Sequence, residues 1–511
     1  MLNKEWEKYK SGSDIRGVAL DGVKGEPVIL TDEAITAITD GFAVWLTDKT
    51  GKNPEDLYVS VGHDSRVTGP KIKKCVIDTL TRAGINCYDF GLMSTPGMFM
   101  SCIDKELHCN AAIQITASHH PFNRNGLKFF VKTGGLEGSE ISEILENAQD
   151  GKRLPDKSDA TVTSFDFLTR YADGLVNLVR KSVNADDYNH PLADFCIVVD
   201  AGNGAGGFYV ENVLKPLGAN TDGSQFLEPD GYFPNHIPNP ENEDAMKAIT
   251  EAVLKSKADI GLIFDTDVDR AGAVDRNGKE INKNRLIALI SAILIEEHPG
   301  ATIVTDSITS SGLKTFIEER LGGHHHRFRR GYKNVINEAI RLNESGIYCP
   351  LAIETSGHAA IKDNYFLDDG AYLVTLLLIK MAQLRKEGKL LEDMLDSLNE
   401  PIETKEIRMN ILCEDFKTYG QSIIDELTAY SRAENGWECA SDNYEGIRVS
   451  FNKENGDGWF LLRLSVHDPI MPLNIESDSV GGVKIIAEKV YTFLKKYKDL
   501  DTKPLAEFLD T

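Results

Sequence analysis

The amino-acid sequence predicts an α/β protein with three related α/β domains followed by a smaller C-terminal α+β domain. A pattern of apolar strand, aspartate, small-residue loop and glycine-terminated helix occurs three times, whereas the chain from about residue 400 reads as antiparallel strands. Strands that alternate with helices are typical of parallel β/α layers. A chain of 511 residues is also too long for a single hydrophobic core.

Each copy of the pattern begins with an apolar strand that ends near an aspartate. The copies are 57–64 with a helix to Gly84, 195–200 with a helix to Gly218, and 302–306 with a helix to Gly322. Each is followed by a second apolar strand that breaks into a polar loop, at 116–121, 265–270 and 354–358. We therefore predict domains over 1–155, 156–282, 283–398 and 399–511.

The C-terminal segment predicts a β-hairpin and a helix. Y-E-G-I-R-V-S-F (444–451) and G-W-F-L-L-R-L-S (458–465) flank a turn-forming linker rich in Asn and Gly. An amphipathic helix is predicted from roughly 480 to 497, with Val483, Ile486, Val490 and Phe493 on one face.

The composition limits the classes of function. A formal net charge of -23 argues against a nucleic-acid partner, because a polyanion would be repelled by most of the surface. The eight cysteines include no Cys-x-x-Cys pair, which favours reduced thiols in a cytoplasmic protein. We expect no membrane partner, since no apolar run approaches the length of a span. An anionic ligand would need local cations or a metal.

The segment 113–130 contains the first candidate site. An apolar strand stops at Thr116, and Ser118 follows on a loop at its carboxyl end, where open α/β sheets place their chemistry. A lone loop serine is usually only a turn former. Here His119, His120 and Lys128 stand within the same short stretch, which favours a nucleophile.

Three aspartates form the second candidate site. Asp265, Asp267 and Asp269 stand at alternate positions directly after an apolar strand, and Arg270 follows them. Carboxylates this close repel one another unless a cation lies between them, and hard oxygen ligands suit Mg²⁺. The alternative is a solvated acidic loop or a set of helix caps. The spacing lacks the glycine and distal glutamate of a calcium-binding EF-hand.

A glycine-rich stretch, G-N-G-A-G-G (202–207), matches the dinucleotide-binding pattern, with Asp222 near the position of a ribose-binding acid. That acid lies in a turn-like T-D-G-S stretch, however, and not at a strand end. A tight strand-to-helix turn is the simpler interpretation.

Basic residues form further candidate anion sites. The histidine triplet 324–326 is interpreted as a solvated loop, because adjacent residues cannot all face one ion. The run behind it is more informative, since Arg329, Arg330 and Lys333 could meet an anion. Arg16 near the N-terminus lies in S-D-I-R-G.

The loop 463–469 forms a plausible phosphate cradle. It combines Arg463 with Ser465 and His467, and a guanidinium fork with hydroxyl and amide donors matches the oxygens of a phosphate.

Taken together these segments resemble the α-D-phosphohexomutase family, of the phosphomannomutase/phosphoglucomutase type. The phosphoserine motif T-A-S-H-N-P is similar to T-A-S-H-H-P here, and D-G-D-G-D-R to D-T-D-V-D-R. The sugar motif G-E-x-S-G-H is similar to I-E-T-S-G-H, and R-x-S-G-T-E-P to R-L-S-V-H-D-P. The departures are His120 for asparagine, Thr266 and Val268 for glycines, and Val466 and His467 for a Gly-Thr pair.

The resemblance implies mixed sheets around a central cleft, and interconversion of hexose 1- and 6-phosphates. Phosphorylated Ser118 would donate its phosphoryl group and form a bound hexose 1,6-bisphosphate, the intermediate and activator. Mg²⁺ would be held by the three aspartates and a phosphate oxygen on Ser118. The other implied roles are catalysis by His119, Lys128, Arg270 and His358, and substrate binding by Arg16, Lys333, Glu354, Ser356, Arg463, Ser465 and His467.

Alternative functions remain at this level. A phosphoglucosamine mutase typically has glutamine where Thr355 stands, which argues against that function. A non-catalytic sugar-phosphate-binding protein is disfavoured by the retention of the serine and the three aspartates. The sequence leaves open mannose or glucose, the general base, and the oligomeric state.

Overall fold

The structure is a computed structural model that describes residues 2–157, 159–465 and 468–510. The chain forms two compact units. The first comprises residues 1–282, 356–360 and 367–392, and the second comprises 283–355, 361–366 and 393–511. Among the described residues, every helix is too short or too polar to cross a membrane.

The N-terminal part of the first unit contains an eight-stranded mixed sheet. Its strands are β1 (Lys10–Ser11), β2 (Asp14–Val18), β3 (Tyr58–His63), β4 (Asn86–Leu92), β5 (Ala111–Ile115), β6 (Arg124–Val131), β7 (Gly134–Gly135) and β8 (Val162–Ser164). The order is β1-β2-β6-β5-β3-β4-β8, with β7 on β6. Strand β3 pairs in parallel with β4 and β5, and β4 pairs in parallel with β8. Strand β6 pairs antiparallel with β2 and β5.

Helices cover this sheet and bury its core. They are α1 (Lys4–Glu7), α2 (Asp32–Thr50), α3 (Gly69–Arg82), α4 (Thr95–Ile103), α5 (Gly138–Gln149) and α6 (Phe167–Val183). Helix α2 is capped by the Thr31 side chain and turns Ile38 and Phe42 inward, where Phe42 stacks on Phe129 at 4.8 Å between centroids. Burial of each such side chain contributes about 2 kcal/mol.

The next part of the first unit contains a four-stranded sheet in the order β12-β11-β10-β9. Its elements are β9 (Ile197–Asp200), a π-helical turn (Tyr209–Leu214), α7 (Glu243–Ser256), β10 (Ile260–Phe264), β11 (Ala271–Asp275) and β12 (Glu280–Ile281). The β9–β10 pairing is parallel and the others are antiparallel. The sheet is therefore mixed, as predicted.

The following stretch of chain contains α8 (Lys283–Glu297), β13 (Thr302–Asp306), α9 (Ser311–Thr315), β14 (His324–Phe328), α10 (Tyr332–Glu344), β15 (Leu351–Ile353), β16 (Ala359–Ile361), β17 (Leu367–Asp368) and α11 (Gly370–Lys386). In the second unit, β13 pairs in parallel with both β14 and β15. The prediction of a solvated loop for the histidine triplet is wrong, because residues 324–326 belong to β14. His325 is buried against the Thr305 hydroxyl, a partner remote in sequence.

The C-terminal part of the second unit has an antiparallel sheet in the order β18-β22-β21-β20-β19. Its elements are β18 (Glu403–Asn410), α12 (Phe416–Ala433), β19 (Glu438–Cys439), β20 (Ile447–Phe451), β21 (Gly458–Leu462), β22 (Ile470–Ser477), α13 (Gly482–Leu494) and α14 (Lys503–Asp510). Strands β20 and β21 form the predicted hairpin, and α13 buries the four apolar residues expected on one face.

The three predicted copies of the strand–helix pattern share one local feature. Gly84, Gly218 and Gly322 all have positive φ, of 85°, 87° and 69°. Glycine adopts this left-handed conformation without steric cost, so each helical segment ends where the sequence pattern indicates.

Candidate active site

Ser118 lies in the first unit, just beyond the end of β5. It has a φ of 50°, in the left-handed region that residues with a Cβ seldom adopt. Its backbone N–H donates to the Thr116 hydroxyl at 2.9 Å. Its own hydroxyl donates to Asp265 Oδ2 at 3.1 Å and lies 3.3 Å from His119 Nδ1. The serine side chain is thus directed at the acidic loop that follows β10.

The acidic loop places three buried carboxylates together. Ligand oxygens of Asp265, Asp267 and Asp269 all lie within 4.8 Å of one another. Oδ1 of Asp267 and Oδ1 of Asp269 accept no hydrogen bond from any described residue. Buried carboxylate oxygens of this kind are hard ligands for a divalent cation. The residues present therefore fit a metal ion such as Mg²⁺.

Lys128 is the cation nearest to these carboxylates. Its Nζ donates to Asp267 Oδ2 at 3.0 Å and to Asp269 Oδ2 at 2.6 Å. Burial alone would raise the pKa of Asp269, but Lys128, His358 and Arg270 outweigh it and lower this pKa. Burial and the charges of Asp269 and Asp267 raise the pKa of Asp265 well above its ordinary value. The Lys128 ammonium is thus directed at Asp267 and Asp269, whereas Asp265 faces Ser118 and Arg270.

Arg270 follows the trio and is 1% exposed. Its Nε lies 3.3 Å from Asp265 Oδ2, and its Nη1 donates to Asn239 Oδ1 at 3.3 Å. Burial would lower the pKa of Arg270, but Asp265 and Asp269 raise it. Nη2 has no hydrogen-bond partner within the described part of the chain. A buried, charged donor of this kind is suited to an anionic ligand.

The pKa values of two histidines in the first unit are shifted in opposite directions. Desolvation and the positive charge of Arg270 lower the pKa of His119, so this imidazole is neutral near pH 7. His358 lies directly against the Asp368 carboxylate. Burial would lower the pKa of His358, but Asp368 raises it. The site therefore combines a neutral imidazole beside Ser118 with a second imidazole that favours its charged form.

The glycine-rich stretch 202–207 supports the acidic loop from behind. A Cβ at Gly204 would come within 2.7 Å of Thr266 O, and one at Gly206 would meet Phe264 at 3.0 Å. The Ala205 N–H donates to Thr266 O at 2.8 Å. Close approach of the Thr266 main chain thus accounts for Gly204, and the Phe264 side chain accounts for Gly206, in agreement with a strand-to-helix turn.

Val268 occupies one of the positions where the family motif has glycine. Its φ is 66°, and its side chain is fully buried. A β-branched residue in the left-handed region is a strained conformation that costs on the order of 1–3 kcal/mol. The surrounding structure therefore holds the acidic loop in a conformation that this residue would not adopt by itself.

The remaining predicted residues are divided between the two units. In the first unit, Arg16 lies on β2 and donates to Asp14 Oδ2 at 2.9 Å, and Ser356 is buried. In the second unit, Glu354 Oε1 accepts the Gly331 N–H at 2.6 Å. Lys333 lies in the first turn of α10. His467 lies outside the described residues.

The phosphate-cradle residues form a second charged cluster, inside the second unit. Arg463 is 9% exposed and follows β21, and its Nη1 lies 3.6 Å from Glu445 Oε1. Glu445 Oε2 also accepts the Arg330 N–H at 2.9 Å and the Ser307 hydroxyl at 2.6 Å. Ser465 Oγ accepts the Asp468 N–H at 3.3 Å. The Glu445 carboxylate thus meets the Arg463 guanidinium and the main-chain N–H of Arg330.

Several residues at these clusters were not predicted from the sequence. The Thr95 hydroxyl donates to Asp267 Oδ2 at 2.5 Å, and Asp368 holds His358. Glu445 joins the arginines, and Arg66 contacts the Ser118 loop. Arg66 alone lies next to a predicted feature, because it ends G-H-D-S-R (62–66) at the close of the first strand copy.

Three successive α/β segments of the chain, with a strand-end serine beside an acidic loop, define the phosphohexomutase class of enzyme. The chain matches the families described as phosphoglucomutase/phosphomannomutase alpha/beta/alpha domain I over residues 7–154, domain II over 169–278 and domain III over 282–401. The chain belongs to the phosphoglucomutase/phosphomannomutase family, which confirms the resemblance found in its motifs.

Individual relatives are similar over almost the full length. A phosphomannomutase/phosphoglucomutase of Pseudomonas syringae is 30% identical, covering 96% of this chain and 95% of its own. A phosphoglucomutase of Neisseria gonorrhoeae is 29% identical, covering 93% and 94%. The crystal structure of a family protein from Burkholderia thailandensis has a TM-score of 0.77 at 26% identity, covering 98% of this chain and 100% of that one.

Proposed function

We propose that this protein is a phosphohexomutase that interconverts hexose 1-phosphate and hexose 6-phosphate, of mannose or glucose, through a phosphoserine at Ser118. The observation that carries this proposal is the Ser118 hydroxyl 3.1 Å from Asp265 in a buried carboxylate trio. Family membership and the names of the relatives support the substrate class. Sugar phosphates are the proposed partners, in the cytoplasm, and neither nucleic acid nor membrane is one.

The proposed reaction has two phosphoryl transfers. In the first, the bond between phosphorus and Ser118 Oγ breaks as a bond forms to a hydroxyl of the bound hexose monophosphate. The attacking hydroxyl gives its proton to a basic group of the site, and Ser118 Oγ gains a proton as it leaves, so that the serine ends as a neutral hydroxyl. His119 Nδ1, 3.3 Å from Ser118 Oγ, is placed to exchange a proton with this oxygen. The resulting hexose 1,6-bisphosphate turns over and returns its other phosphoryl group to Ser118.

The acidic loop and the cations beside it would neutralise the negative charge of the phosphoryl group during its transfer. Asp265, Asp267 and Asp269 would hold Mg²⁺, which supplies positive charge to the transferring phosphoryl group. Lys128 and Arg270 would steady the oxygens in transfer, and His358 is a second acid–base group. Binding of the sugar and of the distant phosphate is proposed for Arg16, Lys333, Glu354, Ser356, Arg463, Ser465 and His467. These residues lie on the proposed domains 1–155, 283–398 and 399–511, and the acidic loop lies on the proposed domain 156–282.

The substitution Ser118→Ala tests this function. We expect turnover of both hexose 1-phosphates to fall on the order of 10⁴-fold or more, because the group that stores the phosphoryl is removed. Intact-mass analysis after incubation with hexose 1,6-bisphosphate should show one added phosphate on the native protein and none on the variant. Ser142→Ala, at a half-buried position of α5 where the hydroxyl accepts from Lys10 Nζ, is the matched control and should keep both properties. Turnover that survives in Ser118→Ala would remove the serine from the mechanism.

A further inference from the structure

We infer that Arg66 is a positioning residue that holds the phosphoserine loop, residues 118–124, in the shape required for phosphoryl transfer. Arg66 lies just after β3 and is 1% exposed, so a bound sugar phosphate cannot reach its guanidinium. None of the roles implied by the family motifs includes it. The inference rests on the proposed phosphoserine chemistry at Ser118.

The guanidinium of Arg66 contacts the main chain of the loop at four points. Nη2 donates to the carbonyls of Ser118 and His120 at 2.5 and 2.6 Å. Nη1 donates to the carbonyls of Pro121 and Arg124, both at 2.8 Å. Four carbonyl dipoles therefore converge on one cation. A planar fork of five fixed donors can satisfy this arrangement, whereas the three donors of a lysine cannot span it.

The Asp64 carboxylate links Arg66, whose contacts with the loop we call the clamp, to the serine. Asp64 lies 3.3 Å from Arg66 Nε through Oδ2, and its Oδ1 accepts the Arg66 N–H at 2.9 Å. Asp64 Oδ2 also accepts the Thr116 hydroxyl at 2.6 Å, and Thr116 Oγ1 accepts the Ser118 N–H. The serine is thus fixed on its amide side through Thr116 and on its carbonyl side through Arg66.

Neighbouring residues hold the guanidinium in place. The Phe233 ring centroid lies 5.3 Å from Arg66 Cζ. At Gly231, a Cβ would come within 2.7 Å of Arg66 Cα, so the two segments pack backbone to backbone. The clamp is therefore rigid on the side remote from the loop.

This arrangement predicts an effect on the chemical step. Ser118 is held at a φ of 50°, which the free chain would leave if the clamp were removed. A displacement of about 1 Å at a reacting atom costs roughly a hundredfold in rate. Because Arg66 does not contact substrate, its loss should lower kcat and leave KM nearly unchanged.

The test compares Arg66→Ala with Arg82→Ala, a matched control on α3 whose guanidinium pairs with Asp40. We expect Arg66→Ala to lower kcat and the rate of Ser118 phosphorylation by about 100-fold, with KM within about threefold. Arg82→Ala should leave both rates unchanged. Millimolar guanidinium chloride should restore part of the rate in Arg66→Ala, since the cation can occupy the vacated position. Urea, a neutral molecule of the same shape, and sodium chloride should not.

The outcomes separate this inference from the proposed function. Full kcat in Arg66→Ala, together with inactive Ser118→Ala, would overturn the positioning role and leave the phosphoserine in place. A rise in KM with unchanged kcat would also overturn it. If Arg66→Ala does not fold, Arg66→Lys and Arg66→Gln replace it, with kcat expected in the order arginine, lysine, glutamine. Equal kcat values for these two variants and the native protein would contradict the inference.

Discussion

The acidic loop of the first unit and the charged cluster around Glu445 in the second unit differ in the kind of charged side chain that they contain. In the first, Asp265, Asp267 and Asp269 are buried beside Lys128. In the second, the Arg463 guanidinium and the main-chain N–H of Arg330 both meet the Glu445 carboxylate. The trio holds three carboxylates against the cations Lys128 and Arg270 in a poorly solvated place, which is costly without a further cation. The first cluster is therefore suited to a cation, whereas we propose Arg463 of the second as a contact for an anion.

Removing a carboxylate from the acidic loop should have the largest effect. We expect Asp267→Asn to weaken Mg²⁺ binding and to lower kcat on the order of 10²–10³-fold, because one charged ligand is lost where charge develops. Titration calorimetry with Mg²⁺ and steady-state kinetics measure the two quantities. Asp222→Asn, at an exposed turn, is the control. Unchanged Mg²⁺ affinity in Asp267→Asn would contradict a metal site at the trio.

Removing an arginine from the second cluster should affect binding more than chemistry. We expect Arg463→Ala to raise KM roughly 10- to 100-fold with a smaller change in kcat, because one charge-assisted contact to a non-reacting phosphate is lost. Inorganic phosphate should also raise the melting temperature of the variant less than that of the native protein. Arg408→Ala, which removes an exposed arginine paired with Glu406, serves as the control. A loss confined to kcat would contradict a substrate-binding role for Arg463.

Breaking the pair between the buried carboxylate of Asp200 and His236 should have the smallest effect, because this carboxylate already has a cationic partner inside the fold. Asp200 lies 3.0 Å from His236 Nε2. Burial would lower the pKa of His236, but the hydrogen bond to Asp200 raises it above 6.5. The pair therefore stabilises the fold fully below pH 6.5, and this contribution is lost as the pH rises through the raised pKa of His236.

Urea unfolding at a series of pH values measures this contribution. We expect the midpoint to fall as the pH rises above neutrality in the native protein, and this part of the pH dependence to disappear in His236→Gln. Added Mg²⁺ should not alter the difference between the two proteins. A pH dependence that persists in the variant would assign it to other groups.

The sequence predicted strand ends and helix ends, which depend on a local pattern. It did not predict contacts between side chains that are distant in the chain. The ends of β5 and β10 were visible because an apolar run stops at Thr116 and at Asp265, and strand ends in α/β sheets carry polar loops. That Ser118 would point at Asp265 required the packing of segments 147 residues apart. The same holds for Thr95, whose contact with Asp267 leaves no local pattern.

The histidine triplet shows the limit in the other direction. Its polarity indicates a loop. Residues 324–326 nevertheless form part of β14, because they pair in parallel with β13 and because the Thr305 hydroxyl is hydrogen-bonded to His325 Nε2. Tertiary context overrides local preference in strands more readily than in helices. By contrast, the glycines that end the three helical segments were predictable, since their conformation is set by the chain next to them.

Gly204 carries a lesson for large-scale mutagenesis of this enzyme. Even an alanine there would press on the carbonyl of Thr266 and push the carboxylates out of register. A survey of single changes would thus score this residue as intolerant, although no reactant touches it. The residues required for function therefore include main-chain positions one layer behind the residues that contact the ligands.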